Sequence, residues 1–138
     1  MNGYTVTVLD DELLTKDEFV SKYKLQDNML FPRNSHVLVV KANFKNKTDK
    51  LSNKHGINLA QFILQDNAFM TYASRDLISA INENTKYAFS LMPNSDQDIL
   101  IPFCINPNYI SIDRIKKRKA NIVITLYPNK KIISLNKK

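Results

Sequence analysis

The stretch Ala120-Asn-Ile-Val-Ile-Thr-Leu-Tyr-Pro-Asn-Lys-Lys-Ile-Ile-Ser-Leu135 decides the fold class of this chain. In its first half two sets of side chains alternate, and both are apolar or β-branched, which is typical of a strand covered on both faces. These two sets are Ile122, Ile124 and Leu126, and Val123, Thr125 and Tyr127. Pro128-Asn129 has the chemistry of a turn, and residues 132–135 read as a returning strand. The pattern predicts a hairpin that a second sheet must cover.

Short alternating segments of the same kind recur along the chain and predict the remaining strands. They cover residues 4–9, 37–44, 57–64, 68–72, 87–91 and 99–105. Asp10-Asp11-Glu12 is expected to end the first strand, and Pro102 marks its strand as an edge or a bulge because proline cannot donate to a ladder. We therefore predict a single all-β domain over residues 1–138, an immunoglobulin-like antiparallel β-sandwich of seven to eight strands.

One or two short helical inserts complete this sandwich. Thr15-Lys16-Asp17-Glu18 matches a capping box, in which the first and fourth residues satisfy each other's backbone amides. Ser74 is a favourable N-cap, and it precedes an apolar stripe at helical spacing. The first signal predicts one or two helical turns, and the second predicts a helix of about two turns.

The composition excludes several classes of function. Only two glycines occur in the 138 residues, so the chain has no glycine-rich phosphate loop, dinucleotide fingerprint or nucleophile elbow. Cys104 is the single cysteine, which rules out an internal disulfide, and it is expected to be a buried small hydrophobe. The net charge of +7 favours acidic partners without choosing among them.

No residue pattern predicts catalysis, a metal or a cofactor. His36 and His55 lack the closely spaced partners of a zinc site. The two acidic segments, residues 10–12 and 96–98, lack the glycine of a calcium loop and read as turn or helix-entry carboxylates. We therefore expect a protein that is not an enzyme. A hydrolase assembled from loops around one of the histidines, a serine and a carboxylate stays open as the least favoured alternative.

The order of several segments resembles a known family. These segments are Val-Leu-Val-Val-Lys-Ala-Asn-Phe-Lys-Asn (37–46), Leu-Ile-Ser-Ala-Ile-Asn-Glu-Asn (77–84), Leu-Met-Pro-Asn-Ser (91–95), Ile-Leu-Ile-Pro-Phe (99–103) and Leu-Tyr-Pro-Asn-Lys-Lys-Ile-Ile-Ser-Leu (126–135). Over residues 4–135 the chain resembles small extracytoplasmic domains of unknown function from Gram-positive bacteria, which have an immunoglobulin-like sandwich fold.

The resemblance implies a location and no catalytic residues. Such domains are usually tethered by a lipoprotein signal or an N-terminal membrane segment, so a location in the cell envelope outside the membrane is expected. The first strand begins almost directly after Met1-Asn2-Gly3, which favours an upstream tether that this sequence does not include.

Two basic segments are the candidate contacts with an anionic surface. Their residues are Lys45, Lys47, Lys50 and Lys54 in the first segment, and Arg114, Lys116, Lys117, Arg118 and Lys119 in the second. Both are interpreted as loops on a rigid sandwich, where binding residues are common. For residues 114–119 taken as a charge run alone, a solvated loop or an edge strand guarded by lysines is the favoured interpretation. The expected partner is another envelope protein or an anionic wall or lipid surface, and nucleic acid is the second hypothesis.

Overall fold

In the part of the chain that the structure describes there are three antiparallel sheets, three short α-helices and a 3-10 helix. The computed structural model describes residues 4–25, 35–48, 57–65, 69–82, 88–108, 110–117, 121–125 and 131–134. The elements in chain order are β1 (Thr5–Thr15), α1 (Lys16–Lys22), β2 (His36–Lys45), β3 (Ile57–Asn58), a 3-10 helix (Leu59–Gln61), β4 (Ile63–Gln65), β5 (Met70–Tyr72), α2 (Arg75–Ile81), β6 (Ala88–Phe89), β7 (Asp96–Ile105), α3 (Ile112–Lys116), β8 (Asn121–Thr125) and β9 (Lys131–Ser134). The predicted all-β, sandwich-like fold is confirmed.

The three longest strands form one sheet in the order β1-β2-β7. β2 lies in the middle, and its pairs with β7 run from His36 opposite Ile105 to Lys45 opposite Asp96. β1 pairs along the other side of β2, with Thr15 opposite His36. The central position of β2 agrees with its sequence, because Val37-Leu38-Val39-Val40 is apolar on both faces.

A four-stranded sheet in the order β5-β4-β8-β9 contains the terminal hairpin, as predicted. β8 pairs with β4 on one side and with β9 on the other. β3 and β6 form a separate two-stranded sheet. An isolated antiparallel bridge between Ala73 and Phe103 connects the end of β5 to β7 and so joins the edges of the two larger sheets.

The main core lies between the two larger sheets. Alternate residues of β2 and β7 contact residues from the 3-10 segment, β4 and β8 in one cluster of buried side chains. Its members include Leu38, Val40, Ala42, Phe44, Ile99, Ile101, Phe103, Phe62, Leu64 and Ile122. Side chains from facing sheets meet here, which is the arrangement of a sandwich.

A second, smaller core covers the opposite face of the three-stranded sheet. Its buried residues are Leu14, Phe19, Val37, Val39, Leu77 and Ile81. Phe19 belongs to α1, and the last two residues belong to α2, so both helices pack on this face. The helices cover the end of the sheet near Val37. Farther along the same face of β2 the residues are polar, namely Lys41, Asn43 and Lys45.

The helix signals found in the sequence are confirmed. The Thr15 hydroxyl accepts a hydrogen bond from the Glu18 amide at 3.2 Å, and the Glu18 carboxylate accepts one from the Thr15 amide at 2.9 Å. Hydrogen bonding of the Glu18 carboxylate with the backbone amide and the side chain of Thr15 lowers the pKa of Glu18, because it stabilises the charged form. The Ser74 hydroxyl accepts from the Leu77 amide at 3.5 Å and begins α2.

Two strand predictions differ from the structure. Asp10-Asp11-Glu12 does not end the first strand; instead a β-bulge between Val8 and Asp10 lets β1 continue to Thr15. The single strand expected over 57–64 is divided into β3, the 3-10 helix and β4. Asn58 causes this break, since its side chain accepts from the Ala60 amide at 3.0 Å and caps the 3-10 turn.

The outer edge of β7 is covered by residues 73–82 and so does not remain an open edge. The Ser74 amide donates to the Pro102 carbonyl at 2.9 Å. The Asn82 side chain then pairs with the backbone of Leu100, donating to its carbonyl at 2.9 Å and accepting from its amide at 3.0 Å. Pro102 is therefore on a strand that pairs with only one full strand, as its missing amide predicted.

Candidate functional site

The structure places the two predicted basic segments toward opposite ends of β7. Lys45 is the last residue of β2 and lies opposite Asp96, the first residue of β7. The second segment follows the other end of β7, after a turn in which the Ile110 amide donates to the Asn106 carbonyl at 2.9 Å. Ten strand residues at ~3.3 Å each separate the two ends by roughly 30 Å. Lys45 and the turn that precedes α3 thus lie at opposite ends of this strand.

The second basic segment is partly helical, which corrects the prediction of a loop. Arg114 and Lys116 belong to α3, and Lys117 is its C-cap. Ile115 is buried in the main core, and Lys116 and Lys117 are exposed. The Lys117 Nζ lies 3.0 Å from the Asp113 Oδ2, four residues earlier. α3 therefore holds its lysines at the surface through an apolar anchor. Arg118 and Lys119 lie outside the described residues.

The first basic segment begins on β2 with Lys45, which corrects the prediction of a loop from that residue, and the chain after it is tied to the turn preceding β7. Lys45 and Lys47 are exposed, and Asn46 between them is fully buried. The Asn46 side chain donates to the carbonyls of Leu91 and Met92 at 3.2 and 3.3 Å, and it accepts from the Thr48 amide and hydroxyl at 3.0 and 2.7 Å. This end of the sandwich is therefore held firmly. Lys50 and Lys54 lie outside the described residues.

A shallow cleft of about 130 Å³ opens beside α1, on the face of the three-stranded sheet that the helices cover in part. Val39 and Leu100 supply its apolar lining, and Tyr23 supplies an aromatic ring. Its charged lining residues are Asp10, Asp11, Glu12, Lys22 and Lys41. No local pattern predicts this cleft, because the bulge in β1 brings Asp10 and Glu12 beside residues that are distant in sequence.

A hydrolase site would need a serine beside a histidine, and Ser35 and His36 are adjacent in sequence. Ser35 is 1% exposed and precedes β2, and His36 is the first residue of β2. Within the described part of the chain, the Ser35 hydroxyl and the His36 Nδ1 are both buried without a hydrogen-bond partner. The serine hydroxyl is therefore not hydrogen-bonded to the imidazole as a nucleophile would be. His55 lies outside the described residues.

Cys104 is half-buried beside the second core, which agrees with its interpretation as a small apolar residue. Burial raises the pKa of its thiol to about 11, an effect opposed in part by a hydrogen bond with Ser74. Since the thiolate is the reactive form, the thiol is poorly suited to nucleophilic chemistry near neutral pH.

This burial predicts slow alkylation of Cys104. At pH 7.5 iodoacetamide should modify the folded protein on the order of a hundredfold more slowly than the protein unfolded in guanidinium, because the thiolate fraction falls with the rise in pKa. Mass spectrometry over time measures both rates. Equal rates in the two states would show that the thiol is accessible and ionised in the folded protein.

Two further features concern the described ranges, namely metal ligands and membrane-spanning helices. In these ranges no group of three His, Cys, Asp or Glu side chains is arranged to hold a metal ion. None of the helices described there combines the length and the apolar character needed to span a bilayer.

Together these features define an all-β, sandwich-like domain with exposed basic ends. Residues 1–131 match the model of a protein family, the domain of unknown function DUF5028, and the chain belongs to this family. A similar fold occurs in the crystal structure of a functionally unknown protein from Listeria monocytogenes EGD-e, with a TM-score of 0.63 and 11% sequence identity. That similarity covers 99% of this chain and 79% of the Listeria chain. The curated proteins gave no match.

Proposed function

We propose that this domain is a non-enzymatic interaction module that works outside the cytoplasmic membrane and contacts an anionic surface of the cell envelope. The observation that carries the proposal is the exposure of Lys116 and Lys117 on a helix anchored to the core by Ile115. Because the net charge of the chain is +7, its long-range field attracts such a surface. The envelope location rests on the resemblance of the sequence to extracytoplasmic domains.

The helix α3 is the favoured contact because its basic residues are closest together in the sequence. Lys45 lies directly opposite Asp96, whose carboxylate accepts a hydrogen bond from the Asn43 side chain at 2.9 Å. At α3 the described acidic residue is Asp113, whereas the sequence continues from Lys117 into Arg118 and Lys119. Each lysine near an anionic membrane contributes about 1 kcal/mol of attraction.

Vesicle sedimentation tests the proposal. The protein should bind vesicles of equal parts phosphatidylglycerol and phosphatidylcholine, and binding should weaken with added salt. The double variant K116E/K117E should lose at least tenfold in apparent affinity, because two attractive charges become repulsive. Vesicles of phosphatidylcholine alone should not sediment the protein.

The double variant K45E/K47E is the matched control, since it changes the net charge by the same amount at the other end of β7. It should lose less affinity than K116E/K117E. An equal loss in both variants would show that total charge, and not α3, determines binding. If neither vesicles nor a soluble phosphate-rich wall polymer retains the wild-type protein, the anionic-surface proposal is wrong.

The proposed location has its own test. In intact cells of the producing bacterium, added protease should degrade the protein while a cytosolic marker stays intact. Protection of the protein until the cells are lysed would contradict the location.

Nucleic-acid binding is the second candidate, and the exposed lysines are equally compatible with it. A gel-shift titration of single- and double-stranded DNA across salt concentrations distinguishes it, because phosphate contacts give a steep loss of affinity with salt. No shift at low salt excludes this candidate.

A further inference from the structure

Two large apolar side chains are exposed on β5, an edge strand of the four-stranded sheet. Met70 is 58% exposed and Tyr72 is 52% exposed. Because they lie two residues apart on one strand, they share one face of the sheet. Thr71 between them pairs with Leu64, whose side chain belongs to the main core. Met70 and Tyr72, named here the apolar pair, therefore lie on the outer face of this sheet.

The residues directly paired with the apolar pair carry no charge. Met70 lies opposite Gln65, and Tyr72 lies opposite Ile63, which is 1% exposed. On the next strand, β8, Asn121 pairs with Gln65. Exposed apolar side chains that are neighbours on an uncharged stretch of sheet are better suited to an apolar partner than to water.

Contacts with β7 place the apolar pair at the end of the molecule that carries α3. The Thr71 hydroxyl donates to the carbonyl of Cys104, the last residue but one of β7, at 3.4 Å. β5 runs antiparallel to β7 where Ala73 forms its bridge. Met70 therefore lies still nearer to the end of β7, where the chain turns before it forms α3.

The start of β8 gives the same placement independently. Asn121 pairs with Gln65, which pairs with Met70, so two strand spacings, roughly 10 Å, separate Asn121 from Met70. Asn121 is four residues after Lys117, a length of chain that spans at most ~14 Å. The exposed Lys116 and Lys117 are thus close enough to contact the same extended surface as Met70.

Exposed apolar side chains beside exposed lysines match the surface of an anionic lipid bilayer. Lysines attract the anionic headgroups, and apolar side chains enter the boundary between headgroups and acyl chains. Tyrosine suits this boundary because its ring is apolar and its hydroxyl can stay hydrated. A soluble wall polymer offers anionic groups but no apolar layer. The combination therefore favours a bilayer over a polymer.

We propose that Met70 and Tyr72 enter the headgroup boundary of an anionic phospholipid bilayer while Lys116 and Lys117 contact its headgroups. This inference rests on the proposed function, and it names a lipid bilayer as the anionic surface. The lysines supply an attraction that salt screens, whereas the apolar pair supplies one that salt does not weaken.

Sedimentation with vesicles of phosphatidylglycerol and phosphatidylcholine tests the apolar contact. The double variant M70S/Y72S removes it without changing the charge, so its apparent affinity for these vesicles should fall about tenfold. Its retention on a soluble phosphate-rich wall polymer should stay at the wild-type level. Met92→Ser is the matched control, because Met92 is 65% exposed and its carbonyl contacts Asn46 at the other end of β7. This variant should bind vesicles as the wild type does.

A gain of signal gives a second test. The chain contains no tryptophan, so Tyr72→Trp introduces a single indole as a fluorescent reporter. Its emission should shift to shorter wavelength when the same vesicles are added, because the indole leaves water, and its affinity should at least equal that of the wild type. Met92→Trp is the control, and its emission should not shift.

The outcomes separate this inference from the proposed function. If M70S/Y72S binds vesicles as tightly as the wild type, or if bound Tyr72→Trp shows no emission shift, the apolar contact is wrong while the anionic-surface proposal stands. If the wild type binds neither vesicles nor wall polymer, both are wrong. A wild-type dimer that M70S/Y72S dissociates would make this face an interface between two copies, and would overturn the bilayer contact.

Discussion

Replacing Phe44 by alanine should destabilise the protein by about 3–5 kcal/mol, the largest single effect that we expect. Phe44 is fully buried, and its ring lies 6.0 Å from that of Tyr4, 5.9 Å from Phe62 and 5.5 Å from Phe89. These partners come from the chain before β1, the segment before β4, and β6. The Phe44 ring therefore connects the three-stranded sheet to both other sheets, and a cavity there weakens all of these contacts.

Chemical unfolding followed by circular dichroism measures this effect. The conservative variant Phe44→Leu should cost roughly 1–2 kcal/mol, because it retains most of the apolar volume. Met92→Ala is the exposed control, since the Met92 side chain is 65% exposed and its removal should change the free energy of unfolding by less than ~0.5 kcal/mol. A loss below ~1 kcal/mol for Phe44→Ala would mean that the three sheets do not share this core.

Replacing Asn46 by alanine should cost about 2–4 kcal/mol, the second largest effect. Its buried side chain makes four hydrogen bonds to Leu91, Met92 and Thr48. Their loss leaves the carbonyls of Leu91 and Met92 and the Thr48 amide without this partner in an interior site, which is costlier than the loss of exposed hydrogen bonds. The unfolding transition measured in urea should shift to a lower concentration with little change in slope.

The variant Asn46→Asp separates hydrogen bonding from packing. It retains the size of the side chain but aims a carboxylate at two carbonyl oxygens, so it should also destabilise the protein at neutral pH. Protonation of the introduced carboxylate restores a hydrogen-bond donor. The stability of this variant relative to wild type should therefore increase as the pH falls below about 5. The neighbouring Lys47→Ala should have almost no effect, because Lys47 is exposed. Equal stability of the wild type and Asn46→Ala would contradict the role of this side chain.

Asn46 also illustrates how a motif can mislead. Asn46-Lys47-Thr48 matches the acceptor pattern for N-glycosylation. In the structure the side-chain nitrogen donates to two carbonyls inside the protein and is not available to a glycosylating enzyme. The pattern instead reflects a local turn, because the Asn46 oxygen binds the amide two residues later.

Local patterns predicted those elements whose stability is local. The capping box at Thr15, the N-cap at Ser74 and the edge position of Pro102 each depend on hydrogen bonds within a few residues or on an intrinsic property of one residue. The bulge after Val8 was missed, because three consecutive acidic residues resemble a strand terminator and only pairing with β2 keeps them extended. The helix over residues 112–116 was not predicted for a similar reason, because Ile115 becomes buried only in the assembled core.

The sequence alone determined the fold class, because alternation of apolar residues selects strands wherever they later pair, and the excess of lysine sets the sign of the charge. Only the tertiary structure decided which charged groups lie together. It placed Lys45 and the turn before α3 at opposite ends of β7, and it gathered Asp10, Glu12 and Lys22 around a cleft. These are contacts between residues distant in sequence, and their geometry depends on strand register, which a one-residue bulge is enough to change.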